Sequence, residues 1–413
     1  MRGMRTALVA VGLIGLSACG DSIGPIDELP RELSLAESNL VDADNRFAFK
    51  LFAEIDNQDA GKNIFISPLS VGMALGMTYN GAAGTTRTAM QETLELQGMS
   101  IDDVNGAYRS LIDLLRDLDP RVEFLLANSI WYRNTYTFQQ DFLDLNIQYF
   151  DAEVAALDFN SPNAASTIND WVRQNTAGRI EEIVDDPISS AAVMFLINAI
   201  YFKADWAYQF ERDRTREAPF YLADGTQTTV DMMSHEDEVP LRYAWDPDNE
   251  VDVVDIPYGG DAYSMTILLP EERDGIDELM DMMSHDQWNI WIASLNSTSK
   301  RILMPKFTFE YDLLMNDVLK ALGMEIAFDT TNADFTNMYA PGGLFISKVK
   351  HKTFVEVDEE GTEAAAATSV EIGLTSAGPG PIIVDRPFVF AIRERYSGTI
   401  LFIGKMLNPN ADD

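Results

Sequence analysis

Five runs of apolar residues read as buried strands: VEFLLANSIWY (122–132), VMFLINAIYF (193–202), SMTILLP (264–270), PFVFAI (387–392) and GTILFIGKML (398–407). Apolar residues at helical spacing mark helices over 42–56, 68–79, 101–117, 138–150, 163–177 and 312–322. Ser67-Pro68 is a helix start, because serine caps free N–H groups and proline fits the first turn. Leu69, Gly72, Met73, Gly76 and Met77 then share a face, and the two glycines predict close packing against a sheet. From about residue 40 onward there is no linker and no repeat, so the elements alternate within one large domain of mixed α and β structure.

A period of two runs through GLFISKVKHKTFVEV (343–357). Phe345, Ser347, Val349, His351, Thr353, Val355 and Val357 share one face; Lys348, Lys350, Lys352 and Glu356 lie on the other. His351 on an apolar face and Asn198 within VMFLINAIYF both need partners if buried. Ser67 and Ser70 have hydroxyls that suit them, although sequence alone does not bring the four together. After this strand comes EEGTEAAAATSVEIGLTSAGPGP (359–381), which lacks any large apolar side chain between Gly361 and Ser369. Read with the same period, Thr362, Ala364, Ala366, Thr368, Val370 and Ile372 face one way, and Glu363, Ala365, Ala367, Ser369, Glu371 and Gly373 the other. Alanines are weak strand formers. Gly361 supplies a corner after Glu359-Glu360. From these residues the segment is either a loop able to become a strand antiparallel to 343–357 or a flexible linker.

Composition narrows the partners. The 413 residues carry a net charge of −36, which disfavours nucleic acid, heparin-like polyanions and anionic lipid headgroups. One cysteine and three histidines leave no disulfide network and no Cys/His metal cage, and nothing calls for a cofactor. Asp246, Asp248 and Glu250 have the alternate spacing of a calcium loop, but Val251 stands where such a loop needs glycine, so they read as a solvated acidic turn. There is no GxSxG, HExxH or Walker loop, and the chain is expected not to be an enzyme. At the N-terminus, Arg2 and Arg5 precede an apolar run, Thr6–Leu16, too short to span a bilayer. It ends in Leu16-Ser17-Ala18-Cys19, which resembles the lipobox of bacterial lipoproteins. The resemblance implies a signal peptide over 1–18, acylation of Cys19, a flexible tether over 19–40 and a lipid-anchored protein of the cell envelope or surface. Without acylation the protein is expected to be secreted.

EEGTEAAAAT (359–368) resembles the hinge of inhibitory serpins. Similar segments follow in the family's order from about residue 42 to 409. They include NIFISPLSVGMALGMTYNGAAGTT (63–86), ANSIWYRNTYTFQQDFL (127–143), INAIYFKADW (197–206), MPKFTFEYD (304–312) and DRPFVFAIRE (385–394). The resemblance implies a single α+β serpin domain over 41–410, with three β-sheets, eight to nine helices and an exposed reactive-centre loop over 359–381. It implies a metastable, monomeric inhibitor of serine proteases that is cut as a suicide substrate, the cut loop inserting into the main sheet with the protease still attached. Glu359, Glu360, Gly361, Thr362, Glu363, Ala364, Ala365, Ala366, Ala367 and Thr368 then form the hinge. The scissile bond is Thr375–Ser376, or Leu374–Thr375 if the register is one shorter. By the same likeness Ser67, Ser70, Asn198 and His351 form the polar cluster that controls sheet opening. Trp206 stands where the loop enters the sheet, and Lys306 is an ion-pair partner for Glu359. No Lys or Arg lies between Lys352 and Arg386, so an elastase-, chymotrypsin- or subtilisin-like target is expected rather than a trypsin-like one. The segment 101–118 has no basic face, so heparin-type activation is not expected. A non-inhibitory serpin-fold binding or chaperone lipoprotein is the alternative.

Overall fold

The computed structural model describes residues 25–362 and 380–411. The chain begins with α1 (Leu35–Asp59), β1 (Ile64–Ile66), α2 (Pro68–Gly81), α3 (Gly84–Thr93), α4 (Ile101–Arg116), β2 (Val122–Arg133), α5 (Gln140–Phe150), β3 (Ala152–Leu157), α6 (Ala164–Asn175) and β4 (Met194–Asp205). A run of strands follows: β5 (Arg216–Tyr221), β6 (Gln227–Ser234), β7 (Val239–Asp246), β8 (Val251–Tyr258) and β9 (Tyr263–Pro270). Then come α7 (Ile276–Met282), α8 (His285–Ser294), β10 (Asn296–Lys300), β11 (Ile302–Pro305), β12 (Phe307–Leu314) and α9 (Asn316–Leu319). The last strands are β13 (Lys350–Val357), β14 (Gly361–Thr362), β15 (Ile382–Ile383), β16 (Phe388–Glu394) and β17 (Ile400–Met406).

These strands form three sheets, ordered β1-β17-β16-β9-β8-β7-β10, β15-β11-β6-β5 and β12-β13-β14-β4-β2-β3. With the helices this is the three-sheet α+β architecture expected. Most buried apolar side chains form one continuous core. A smaller cluster, including Trp131, Ile168, Val172 and Ile197, lies between α6 and the six-stranded sheet.

Helix starts follow their caps. Ser34 accepts the Glu37 backbone N–H and Glu37 accepts the Ser34 N–H, a reciprocal box that begins α1. Ser67 Oγ accepts the Ser70 N–H at 3.2 Å and begins α2, with Pro68 in its first turn. The α2 glycines do not face a sheet. A Cβ at Gly76 would lie 3.0 Å from Tyr108 of α4 and 3.2 Å from Phe150 of α5, and one at Gly72 would meet Asp44 of α1. The small residues therefore admit helix side chains.

Three further expectations are corrected. Residues 312–322 are not one helix: β12 runs to Leu314 and α9 begins at Asn316. The strand expected over 343–357 starts only at Lys350. Before it the backbone turns at Gly342 and Gly343, both at positive φ, and Ile346 N–H bonds Ala327 O at 2.8 Å, outside any sheet. Phe345 is accordingly 38 % exposed, while His351, Thr353, Val355 and Val357 keep the buried face. Finally, residues 25–34, inside the expected tether, are packed on the body, with Ile26 and Leu29 against the main core, and α1 starts at Leu35.

Candidate functional site: a slot in the six-stranded sheet

β4 and β13 would be neighbours if β14 were absent. β14 separates them with two residues: Gly361 pairs with Asp205, Thr362 with Ala204, and Thr362 with Val357 on the other side. Both pairings are antiparallel. Beyond those rungs, Met194–Lys203 of β4 and Lys350–Glu356 of β13 have facing edges with no strand between them among the described residues. A cleft of about 560 Å³ lies there, floored by Ser70, Ala74 and Thr78 of α2 and flanked by Asn198 and His351. Unpaired backbone edges over a floor of small side chains are a template for one more strand.

The two seated residues are held from several sides. Gly361 passes so close to β4 that a Cβ would sit 2.0 Å from the Ala204 carbonyl oxygen, which excludes every other residue type. Thr362 is buried and its hydroxyl shares a 2.7 Å hydrogen bond with the Tyr258 hydroxyl. The Trp206 ring stacks on Tyr258 with centroids 4.4 Å apart. Trp206 also donates its backbone N–H to Glu360 O at 2.7 Å and its indole N–H to Asp358 O at 2.9 Å. Phe210 N–H bonds Glu359 O at 2.9 Å, and the Asp358 carboxylate accepts the Glu360 and Gly361 N–H groups, making a tight turn.

Glu359 is buried, with Lys306 Nζ at 2.8 Å from one carboxylate oxygen and Thr215 Oγ1 at 2.5 Å from the other. Burial would raise its pKa, but the ammonium and hydroxyl outweigh it and hold the carboxyl below the usual range. Burial pushes Asp358 the other way, above its ordinary value, and its Oδ2 has no hydrogen-bond partner. Glu360 pairs with Arg212 at the surface. Trp206 and Lys306 thus both touch the hinge. Glu363 to Thr368, the scissile-bond residues Leu374, Thr375 and Ser376, and Cys19 lie outside the described residues.

The four central polar residues converge on the slot but do not form one closed cluster. Ser67 N–H donates to His351 Nε2 at 3.0 Å and Ser67 Oγ to Leu401 O at 2.7 Å, joining α2 to β13 and β17. Ser70 Oγ makes a long 3.5 Å contact with the Asn198 carbonyl. The Asn198 amide instead donates to Asn128 Oδ1 of β2 at 2.9 Å, and its own Oδ1 is buried without a partner. His351 and Asn198 stand on opposite sides of the slot. Burial lowers the His351 pKa to about 4, so the ring is neutral and its Nε2 is an acceptor at neutral pH. Sequence reasoning missed Asn128, although an amide within an apolar run had pointed to Asn198. It also missed Tyr258, Phe210 and Thr215, which carry no local signal.

The family model described as Serpin (serine protease inhibitor) matches residues 42–409. The leukocyte elastase inhibitor of Homo sapiens is 33 % identical over 380 residues, covering 90 % of this chain and 99 % of that protein. Among solved structures, a thyroxine-binding globulin complex with thyroxine superposes with a TM-score of 0.81 at 27 % identity, covering 90 % of this chain and 100 % of the other. The thermophilic serpin tengpin, in its native state, gives 0.80 at 32 % identity, covering 93 % and 97 %. The bare expectation of no enzyme activity is corrected by these names. A relative named as an elastase inhibitor states an action on a protease, which is a different statement from the absence of catalysis. With a matching model over residues 42–409 and a 33 %-identical relative matched almost end to end, the chain belongs to the serpin family.

Proposed function

We propose that the protein inhibits serine endopeptidases as a suicide substrate. The observation that carries this reading is the slot between β4 and β13, whose first two rungs Gly361 and Thr362 already occupy. Past Glu363, four alanines (364–367) follow them in sequence. A protease serine attacks the scissile carbonyl, at Thr375–Ser376 or Leu374–Thr375; the amine leaves and an acyl ester joins enzyme to inhibitor. The freed strand then fills the slot, a mode of strand addition for which serpins are themselves a stock example. At about 3.3 Å per residue, inserting the remaining residues 363–374 carries the ester roughly 40 Å. About a dozen new ladder bonds at on the order of 1 kcal/mol each give a drive of order 10 kcal/mol. A distorted protease that loses one oxyanion donor slows about 10²–10³-fold in releasing the ester.

The register supports the same reading. Continued from Thr362, it sets Thr368 between Asn198 and His351, where its hydroxyl supplies a donor for the unpartnered Asn198 Oδ1. Ala364 and Ala366, on the inward face, require no displacement of core side chains. With no Lys or Arg in the bait, the target is elastase-, chymotrypsin- or subtilisin-like. The lipobox-like Leu16-Ser17-Ala18-Cys19 supports acylation of Cys19 and attachment to a membrane.

Incubation with elastase, chymotrypsin and subtilisin followed by denaturing electrophoresis tests the mechanism. An SDS-resistant complex is expected with at least one of them. Cleavage without complex would favour the non-inhibitory binding alternative. Thr362→Arg puts a cation against Tyr258 and is expected to raise the number of inhibitor molecules consumed per protease at least tenfold. Unchanged inhibition would remove the hinge from the mechanism.

A further inference from the structure

The N-terminal segment docks beside the hinge. Ile26 N–H donates to Gly260 O at 2.7 Å, and the Tyr396 hydroxyl donates to Ile26 O. Arg31 then bonds Glu37 of α1 and Ser110 of α4, the latter at 2.7 Å. Gly260 belongs to the β8–β9 turn, whose preceding residue, Gly259, donates its N–H to Asp205 O at 2.8 Å. Asp205 is the partner of Gly361. With Cα spacings of about 4–5 Å per step, Gly260 lies within roughly 15 Å of the hinge. The opposite end of the slot, at Met194, is eleven residues of strand away from Asp205, or about 36 Å.

We infer that the hinge end of the molecule is its membrane-proximal end, so the bait is presented to serine proteases held at that same surface. The inference rests on the proposed acylation of Cys19. Five residues lie between Cys19 and Pro25, and the six steps from one to the other span at most about 21 Å when fully extended. A cysteine fixed at the bilayer therefore holds Ile26 within about 25 Å of the headgroups, so the end of the body where Ile26 docks, with Gly260 and the hinge, is the end the leash draws toward the membrane. The net charge of −36 does not itself draw any face onto an anionic bilayer, so the short leash and its docking point set the orientation. Insertion would then carry a trapped protease away from the membrane, toward the Met194 end.

The test uses the full chain, processed in a bacterium with lipoprotein machinery and reconstituted in phosphatidylcholine vesicles containing a headgroup-linked acceptor dye. Acylation blocks Cys19, so a single new cysteine is the free thiol. A donor dye is placed at exposed Asp213, near the hinge, in D213C, or at exposed Asn134, just past the far end of β2, in N134C. At least twofold stronger quenching at the Asp213 position is expected. A spacer of thirty Gly/Ser residues before Pro25, or Ile26→Asp to release the docked segment, should shrink that difference. Acylated protein with equal quenching at both positions, or stronger quenching at Asn134, would overturn the orientation and leave acylation standing. Protein whose mass shows no acyl chain, and which stays off the vesicles, would overturn both.

Discussion

Asp44 is an acid in an apolar place. It sits on α1 with its Oδ1 accepting the Tyr108 hydroxyl at 2.9 Å, its Oδ2 unpartnered, and the α2 backbone at Gly72 against it. Burial pushes its pKa up to about 7, the Tyr108 hydrogen bond offsetting only part of the effect. Unfolded, the group titrates near 3.9. The folded state therefore binds the extra proton, and stability falls as pH rises from about 4 to about 7. The cost is roughly 4 kcal/mol above that window. In Asp44→Asn this decline should vanish, so thermal unfolding of wild type and variant followed from pH 4 to 8 should diverge steadily. Parallel curves would mean the carboxylate finds a partner when it ionises.

At the scale of elements, the joint between α2 and β13 depends on a neutral His351. Its Nε2 accepts the Ser67 N–H at the helix start, and burial holds its pKa at about 4 against about 6.5 unfolded. A depressed base contributes stability fully above pH 6.5, and that contribution is lost as pH falls toward 4. Acidification across this window should weaken the joint by roughly 3 kcal/mol. His351→Gln, whose amide oxygen also accepts, should flatten the acid decline in melting temperature; an unaltered slope would place the acid-sensitive group elsewhere. His351 and Asn198 were legible in the sequence because each is a polar residue on an apolar strand face. That they face each other across the slot was not, since separation within a sheet leaves no mark on either strand. β5, β6 and β10 escaped notice for a related reason: REAPFY, QTTVDMMS and NSTSK show no continuous apolar run, and they become strands through their neighbours. β14 is the extreme case, two residues whose strand geometry comes wholly from β4 and β13. The α2 glycines misled because their spacing reports close approach without saying of what.

Among the described residues, the six-stranded sheet of the molecule has a strand's worth of unfilled edge between β4 and β13. Filling it by the proposed insertion adds order 10 kcal/mol of ladder bonds, which for a chain of this size corresponds to a rise in melting temperature of at least about 10 °C. Cutting the bait with a catalytic amount of subtilisin and melting the nicked protein should show that rise. A nicked form that melts with the intact one would mean the slot stays open. What the fold displayed at large scale, three sheets on one core, was readable from segments spread along the chain. The docking of residues 25–34 was not, because GPIDELPREL has the Gly, Pro and charge of a tether, and its anchors, Gly260 and Tyr396, are far off in sequence.

The two residues already seated at the top of the slot have a kinetic meaning. A zipper closes quickly once its slider is engaged, because alignment is settled before the pull. Under the proposed mechanism Gly361 and Thr362 would set the alignment in advance, so a severed strand would have no search to make and would start its race against hydrolysis already in register. Under the same proposal that engagement would leave an uncut chain two rungs into a closure that would spend it unused, and the contacts of Trp206, Tyr258, Lys306 and Thr215 with residues 358–362 are where such a premature run would be restrained.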